Sequence, residues 1–266
     1  SGKSLFLRAL RDAKGEVAHY VVPERTGDLG FEPSFIQQQI DSQQRRNISA
    51  RNFMPEYRRQ ILDRIQTYFM VRGGGSKPKE IPPAHPDELE SLLAQLLPDF
   101  AIELQPKNPP YKLIRASDKM EIGPVDQLSS GESQLLTIGI DILTMAAIWE
   151  IEGSAERLML IDEPDAHIHP DLQARFADFL VQTAHRFHFQ TIIATHSTTL
   201  LAAIGQFGGD ASSVVYLDRR SREFTAKQFT AILKEVAACL GGHALMGPLF
   251  GMPLLLVEGD DDYRIW

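Results

Sequence analysis

The sequence predicts an α/β protein built around a parallel β-sheet with helices packed against it. In the second half of the chain, strand-like and helix-like segments alternate, which is the order that parallel sheets require. Residues 158–161 form an apolar run that ends beside two acids, and residues 190–195 contain the apolar stretch Ile192–Ala194 and end beside His196. Such runs are typical of strands buried on both faces, and open α/β folds bind ligands at the carboxyl ends of their strands.

Hydrophobic periodicity predicts the individual helices and strands. The predicted helices are residues 5–10, 32–40, 55–70, 87–97, 131–150, 171–187 and 227–240. The predicted strands are residues 17–22, 100–104, 111–116, 158–161, 190–195, 214–217 and 253–257. Helix 131–150 is expected to be amphipathic. Residues 72–86 are rich in Gly and Pro and are expected to form a mobile linker.

Bulk composition limits the class of protein. The 266 residues suffice for one large domain or two small ones. No apolar run approaches the roughly 18–20 residues that span a bilayer, so we expect no membrane partner. The single cysteine, Cys239, excludes an internal disulfide framework and favours a reducing, cytoplasmic location. A net charge of −8 argues against a chain that is basic throughout and binds nucleic acid by charge alone.

One segment is nevertheless locally basic. Between residues 45 and 72, two acidic residues, Glu56 and Asp63, stand among a larger group of arginines. These arginines are Arg45, Arg46, Arg51, Arg58, Arg59, Arg64 and Arg72. A solvated helix face is the simpler interpretation, and a contact with DNA or with a partner's acidic surface is the alternative.

The chain begins with three residues that match the end of a phosphate-binding loop, Gly-x-x-x-x-Gly-Lys-Ser/Thr. Gly2 would let backbone N–H groups approach phosphates at the start of a helix, Lys3 would reach the β- and γ-phosphates, and the Ser4 hydroxyl would bind Mg²⁺. A surface turn is the alternative, and the downstream motifs favour the loop. We expect the loop's upstream strand and first glycine to precede Ser1.

Two adjacent acids end the strand at residues 158–161. We expect Asp162 to hold the metal and Glu163 to polarise an attacking water. The alternative is an acidic strand end next to a turn at Pro164. Desolvation makes two neighbouring acids at a buried strand end costly without a functional reason. His167 and His169 follow, and we favour a subunit contact over a zinc site for them, because no cysteines or third ligand accompany them.

Two further segments fit the same chemistry. Residues 128–136 open a helix with Ser129, Ser130, Gly131 and Glu132, and a helix start of this kind suits an anion, although an ordinary capped helix is the alternative. Strand 190–195 ends at His196, which can hydrogen-bond a γ-phosphate. A loop histidine satisfied by its neighbours is the alternative there.

Together these motifs resemble the ABC-type ATPase heads of the AAA family. Residues 2–4 resemble the end of Walker A, residues 128–132 the signature motif, residues 158–163 Walker B, and His196 the switch histidine. The sequence of residues 162–170 resembles in particular the ATPases of OLD (overcoming lysogenisation defect) nucleases and related phage-defence proteins. The resemblance implies a P-loop NTPase fold with ATP and Mg²⁺ as cofactors.

The resemblance also implies a head-to-tail dimer in which two ATP molecules are enclosed between the subunits. Ser130 and Gly131, within the signature motif formed with Ser129 and Glu132, would contact the γ-phosphate held by the partner's P-loop. We expect an ATPase domain over residues 1–252, with a helical insertion at 31–127. One of Gln37, Gln38 and Gln39, or else residues 23–25, would occupy the Q-loop.

The carboxyl-terminal residues 253–266 resemble the opening strand of a Toprim domain, in which acids bind Mg²⁺ for phosphodiester chemistry. Glu258 matches the first acid and Asp262 the acid four residues later. An acidic cap on a last strand is the alternative, and we expect the rest of such a domain to follow Trp266.

The resulting hypothesis is an ATPase that acts at a composite dimer interface and regulates a Toprim-like or partner nuclease in anti-phage defence. A DNA-clamping ATPase of chromosome maintenance or repair is the alternative, although the insertion is short for coiled-coil arms and lacks sustained heptads. A transporter's nucleotide-binding subunit would require a membrane partner and would leave the acidic tail unexplained.

Overall fold

The computed structural model describes residues 2–21, 64–72, 86–106, 111–122, 128–166, 168–215 and 226–229. The predictions made for residues 23–25, 32–40, 73–85 and 253–266, and for His167, lie outside these ranges. The chain divides into two compact units, Ser1–His196 and Ser197–Trp266.

The described helices and strands are numbered in chain order. The strands are β1 (Ala18–Val21), β2 (Phe100–Leu104), β3 (Tyr111–Arg115), β4 (Glu121–Ile122), β5 (Leu158–Asp162), β6 (Gln190–Ala194), β7 (Ser213–Val214) and β8 (Lys227–Gln228). The helices are α1 (Gly2–Lys14), α2 (residues 64–72), α3 (Pro86–Leu96), α4 (Ser130–Glu152), α5 (Pro170–Phe187) and α6 (Thr198–Gly208). Short 3₁₀ turns lie at Gly15–Val17 and Gly209–Ala211.

A parallel sheet with strand order β1-β5-β6 forms the centre of the first unit. Every residue of the middle strand, β5, is buried, as the apolar run at residues 158–161 predicted. The strand predicted to be buried at residues 190–195 is not: in β6 one residue, Ala194, is buried, because β6 has no described neighbour on its other side. Leu160 lies between Tyr20 of β1 and Ile192 of β6 in the register. The predicted parallel sheet is therefore confirmed, and because the strands run in one direction, their carboxyl ends meet at one edge.

Helix α4 is buried around its whole circumference, which corrects the prediction that it is amphipathic. It contacts α3, α5 and β1, so no face is left for solvent along most of its length. By length and composition alone it could cross a membrane, but 94% of its most apolar 18-residue window is buried inside the protein. Helices that are apolar all round serve as core elements in this way.

A second, antiparallel sheet with order β2-β3-β4 lies within the first unit. Helix α3 packs against β2 and also contacts α4 and α5. Arg186 of α5 forms ion pairs with Glu88 of α3 and Glu150 of α4, and so links these three helices. The described part of residues 31–127 therefore contains helices α2 and α3 together with three strands, and the strands predicted at residues 100–104 and 111–116 are confirmed.

A buried polar cluster joins β1, α2 and α4. The Arg64 guanidinium contacts the Asp141 carboxylate, and His19 Nε2 lies 3.1 Å from Asp141 Oδ1 and 3.2 Å from Arg64 Nη1. The indole of Trp149 meets the His19 ring edge-on. Arg64 is 6% exposed, so neither a solvated helix face nor a DNA contact describes this arginine. Within the arginine-rich segment, the other described arginine, Arg72, is partly buried and donates to the Tyr68 hydroxyl.

The second unit differs from its prediction in two places. Helix α6 was not predicted, and it begins at a cap in which the Ser197 hydroxyl accepts from the Leu200 N–H. The helix predicted over residues 227–240 does not begin at Lys227, because Lys227 and Gln228 form β8 and pair with β7. The apolar periodicity that suggested a helix arises in part from Phe229, which is buried in this unit.

Candidate functional site

The start of α1 meets the end of β6. Lys3 Nζ donates to the carbonyl oxygen of Thr195 at 2.7 Å and lies 3.2 Å from Nδ1 of His196. Gly2 opens the same helix, where its missing side chain leaves open space. Two of the motifs identified in the sequence, almost two hundred positions apart, therefore come together at one edge of the sheet.

The end of β5 supplies a buried carboxylate to the same place. Asp162, which is 6% exposed, accepts a hydrogen bond from Ser4 Oγ to Oδ1 at 3.1 Å. Its second oxygen, Oδ2, accepts from the Tyr20 hydroxyl at 2.7 Å. The hydroxyl and the carboxylate predicted to bind metal are therefore neighbours, and a residue of β1 adjoins them.

Tyr20 is surrounded by groups of α1. Its hydroxyl is hydrogen-bonded to Arg8, and the Arg11 guanidinium lies 5.5 Å from the centre of its ring. Burial raises the pKa of Tyr20 to about 12, and the hydrogen bond to Asp162 acts in the same direction. The hydrogen bond to Tyr20 raises the pKa of Arg8 in turn. At neutral pH the phenol therefore keeps its proton and donates a hydrogen bond to the Asp162 carboxylate.

Glu163 follows the strand in an unusual backbone conformation. Its φ is 49°, in the left-handed region that costs a non-glycine residue about 1–2 kcal/mol. Its N–H donates to the Ala194 carbonyl at 2.7 Å, which holds the turn against β6. Its side chain is 28% exposed, and Oε1 lies 3.5 Å from His196 Nε2. Local strain of this kind clusters at functional sites, which favours a functional role for Glu163.

His196 lies between the lysine and the glutamate. Its side chain is 64% exposed; Lys3 Nζ lies 3.2 Å from its Nδ1 and 3.5 Å from its Nε2, and Glu163 Oε1 also lies 3.5 Å from Nε2. The preceding residue, Thr195, donates its hydroxyl to the Asp165 carboxylate and so ties the end of β6 to the loop after β5. The imidazole is therefore accessible from outside, while the residue before it is tied to the loop after β5.

The signature-like segment forms a capped helix start, which was the structural alternative weighed for it. The Ser129 hydroxyl accepts from the Glu132 N–H at 3.3 Å, and Glu132 Oε2 accepts from the Ser129 N–H at 2.8 Å. Ser130 and Gly131 occupy the first turn of α4. Further along, Gln134 Nε2 donates to the Pro164 carbonyl at 3.3 Å, which joins α4 to the acidic loop of the same chain.

Of the two histidines after the acid pair, for which a subunit contact was favoured over a zinc site, His169 lies within the described residues. His169 caps α5, where its Nδ1 accepts from the Asp171 N–H at 3.4 Å. Within the described ranges, no group of three or more His, Cys, Asp or Glu side chains is placed to hold a metal. Glu258 and Asp262 lie outside those ranges, so their predicted role stays a prediction.

The donors at the edge fit a magnesium ion. Ser4 supplies a hydroxyl oxygen and Asp162 a carboxylate oxygen, and hard oxygen ligands of this kind are what Mg²⁺ selects, usually with phosphate oxygens and water completing its shell. These two residues would hold the ion, with Lys3 beside them to meet phosphate charge.

Sequence reasoning missed three residues that the structure brings to the edge: Tyr20, Gln134 and Asp165. One signal in the sequence could have found Tyr20: it lies near the end of the predicted strand 17–22, and that strand pairs with the strand that ends in Asp162. Polar groups of buried tyrosines usually need a partner. No comparable signal marked Gln134 or Asp165, because their partners are a backbone carbonyl and a threonine distant in sequence.

A parallel sheet with a Gly-Lys-Ser helix start beside a strand-end acid pair defines a P-loop NTPase of the ATPase class. Residues 45–202, more than half of the chain, match the family described as "AAA domain, putative AbiEii toxin, Type IV TA system". The chain belongs to this AAA family of ATPase domains.

Solved structures of SMC heads resemble this chain at low identity. One, described under "Structural biochemistry of ATP-driven dimerization and DNA stimulated activation of SMC ATPases", is 19% identical over 57% of this chain and 89% of that one, with a TM-score of 0.38. The SMC head domain from Thermotoga maritima is 15% identical over 62% of this chain and 52% of that one, with a TM-score of 0.39.

The Smc head domain from Pyrococcus furiosus, with an extended coiled coil and bound to the C-terminal domain of ScpA, is 13% identical. The match covers 89% of this chain and 51% of that one, with a TM-score of 0.40. This chain thus spans about half the length of two of these three structures. No curated protein matches it.

Proposed function

We propose that this chain binds MgATP and hydrolyses it at the carboxyl edge of the β1-β5-β6 sheet. The observation that carries the proposal is the hydrogen bond between Ser4 and Asp162, 158 positions apart in the chain. It joins a helix-start hydroxyl to a strand-end carboxylate, the pair that holds the metal of a bound nucleotide in P-loop enzymes.

Each residue at the edge has a chemical task in this proposal. Lys3, already at the end of β6, meets the charge of the β- and γ-phosphates. Ser4 and Asp162 hold Mg²⁺, which when bound neutralises charge on the phosphate oxygens. Because these side chains come from α1 and β5, elements packed in one core, their positions are fixed before the nucleotide arrives.

Glu163 is the proposed base. Its carboxylate is partly exposed and next to the buried Asp162, so it can face an attacking water while its neighbour faces the metal. His196 contacts both Lys3 and Glu163, the residues proposed to meet the phosphate and the water. An imidazole there can hydrogen-bond the γ-phosphate and respond to its departure.

A second copy of the chain completes the proposed site. Ser129 and Ser130 are exposed at the start of α4, and the first backbone N–H groups of a helix attract anions. Ser129 and Glu132 shape this start by capping it, and Ser130 and Gly131 present it to the γ-phosphate held by the partner. Hydrolysis would then require a head-to-tail dimer.

The proposed output is the control of a nuclease in anti-phage defence, in the cytoplasm. The support is the resemblance of residues 162–170 to OLD-type ATPases and of residues 253–266 to the opening of a Toprim domain. Glu258 and Asp262 would be the first metal-binding acids of that nuclease domain. This output rests on resemblance, since one fold serves many functions.

The ATPase proposal is tested with Glu163→Gln in the natural full-length protein. We expect ATP binding to persist, turnover to fall roughly 10²–10⁴-fold as for loss of a general base, and ATP to trap a dimer. Glu103→Gln is the matched control, because Glu103 is an exposed residue of β2 away from this edge. Turnover that is unchanged in Glu163→Gln would show that another group activates the water.

The nuclease proposal has a separate test, Mg²⁺-dependent cleavage of plasmid DNA by the full-length protein. Cleavage that is lost in Glu258→Ala would support an ATPase–nuclease. Intact ATPase activity without cleavage would instead favour a DNA-clamping ATPase of chromosome maintenance or repair, or a sensor that acts through a separate effector protein.

A further inference from the structure

We propose that Tyr20 is a positioning residue for the metal-binding carboxylate of Asp162, and that it sets the affinity of the site for magnesium. This inference rests on the proposed ATPase function and deepens it. None of the four sequence motifs contains Tyr20, and the mechanism described above does not use it.

The two carboxylate oxygens of Asp162 have different hydrogen-bond partners. Oδ2 accepts from the Tyr20 hydroxyl at 2.7 Å, whereas Oδ1 is turned toward Ser4 Oγ at 3.1 Å. Hydrogen bonds from a hydroxyl to a carboxylate of this length are among the strong ones. The phenol therefore fixes the rotation of the carboxylate and directs Oδ1 toward the residue that would share the metal.

Tyr20 itself is held in place by the core. It is 2% exposed and packs in one core cluster with Leu7 of α1 and with Leu158 and Leu160 of β5. Water cannot easily replace a donor in such a place, and the ring cannot follow a carboxylate that rotates away. The position of the hydroxyl is thus a property of the core and is independent of the nucleotide.

The hydrogen bonds of the site form a closed ring through α1. Asp162 accepts hydrogen bonds from Ser4 and from Tyr20. The Tyr20 hydroxyl is also hydrogen-bonded to Arg8, which lies one helical turn after Ser4 on the same helix. The Arg11 guanidinium also faces the Tyr20 ring. The helix that presents Lys3 is therefore locked to the carboxylate by two links, one direct and one through the phenol.

Tyr20→Phe removes one hydroxyl and keeps the ring that fills the core. Loss of a residue that orients a metal ligand typically weakens metal affinity 10- to 100-fold. We expect a shift of roughly that size in the Mg²⁺ concentration for half-maximal ATPase activity. The turnover number at saturating Mg²⁺ and the affinity for ATP without metal should change far less, because Lys3 and Glu163 are untouched.

The decisive measurement is a direct one that needs no turnover. Mn²⁺ binding in the presence of ATP is followed by electron paramagnetic resonance, using full-length protein that carries Glu163→Gln so that ATP persists. Tyr68→Phe is the matched control, since Tyr68 is also fully buried and its hydroxyl meets Arg72 instead of the site. We expect Mn²⁺ affinity to fall with Tyr20→Phe and to stay unchanged with Tyr68→Phe.

A second variant keeps the test valid if Tyr20→Phe does not fold. Arg8→Met, at an exposed position of α1, removes the anchor of the phenol and should weaken Mn²⁺ binding in the same direction by a smaller factor. Unchanged Mn²⁺ affinity in Tyr20→Phe, or an equal loss in Tyr68→Phe, would overturn the role of Tyr20 alone. If the protein that carries Glu163→Gln alone fails to bind Mn²⁺ in the presence of ATP, the proposed function is overturned as well.

Discussion

The buried cluster of Asp141, Arg64 and His19 provides the sharpest test of what holds the first unit together. Asp141→Asn keeps the shape of the side chain and removes the charge that faces Arg64. Asp141 is fully buried, and the side chain of Arg64 is 8% exposed. Neither group can therefore recover the lost interaction from bulk water.

The expected loss follows from that burial. Removal of one partner from a buried ion pair typically costs about 3–5 kcal/mol. We expect a value near 3 kcal/mol, the lower end, because the asparagine oxygen can still accept a hydrogen bond and His19 Nε2 stays 3.2 Å from the guanidinium. In a domain with about 5–15 kcal/mol of total stability, this is a large fraction.

Urea and thermal unfolding of the purified protein measure this loss. At about 2–4 °C per kcal/mol for a domain of this size, the midpoint should fall by roughly 6–12 °C. Asp178→Asn is the matched control, because Asp178 lies on α5 at an exposed hydrogen bond to Gln182 and should change stability by less than about 0.5 kcal/mol. A loss below about 1 kcal/mol for Asp141→Asn would refute the reasoning.

Three other substitutions test separate contacts. Gly205→Ala should destabilise the second unit by about 1–3 kcal/mol in thermal unfolding, because its new Cβ would overlap the Phe229 ring. Arg186→Met should cost about 1 kcal/mol in low-salt urea unfolding and less in high salt, since this ion-pairing side chain is 38% exposed. Ser129→Ala should cost about 1 kcal/mol in the same assay by removing the cap of α4.

Each of these substitutions has an outcome that would contradict its reasoning. Gly205→Ala unfolding like the parent protein would mean that Phe229 packs elsewhere. A loss in Arg186→Met that does not change between low and high salt would point to packing of the side chain and not to its charge. For the cap, Ser129→Gly is the control and should cost only a few tenths of a kcal/mol; an equal loss in both variants would argue against the capping role.

The parts of the fold that could be predicted are those in which local pattern and burial agree. The run at residues 158–161 is apolar because β5 is covered on both faces, and its acids appear at the edge because the chain leaves the core there. Lys3, Asp162 and His196 could therefore be assigned to one edge before any contact was known. Asp162 and His196 converge because β5 and β6 run in the same direction, whereas Lys3 lies on α1 and was assigned to the site by its match to a phosphate-binding loop.

The parts that could not be predicted depend on tertiary partners. The polar residues of α4 suggested a solvent-exposed face, but Asp141 is buried against Arg64. Arg64 lies 77 positions earlier in the chain, and no local pattern reveals where it packs. Lys227 and Gln228 form a strand only because β7 is beside them. Tyr20 contributes to the site through a hydroxyl whose partner lies 142 positions away.

The contacts of the site also carry a consequence for the order of folding. Gln134 and Pro164 are 30 positions apart, whereas Ser4 and Asp162 are separated by 158 and Lys3 and Thr195 by 192. Because closing a longer loop costs more entropy and distant pairings form slowly, we expect residues 128–196 to assemble before α1 docks. A nucleotide that binds only the docked form would then stabilise the folded chain by mass action, about 2.7 kcal/mol at a hundred times its Kd. On this basis, ATP bound at the proposed site would protect α1 from local unfolding and proteolysis.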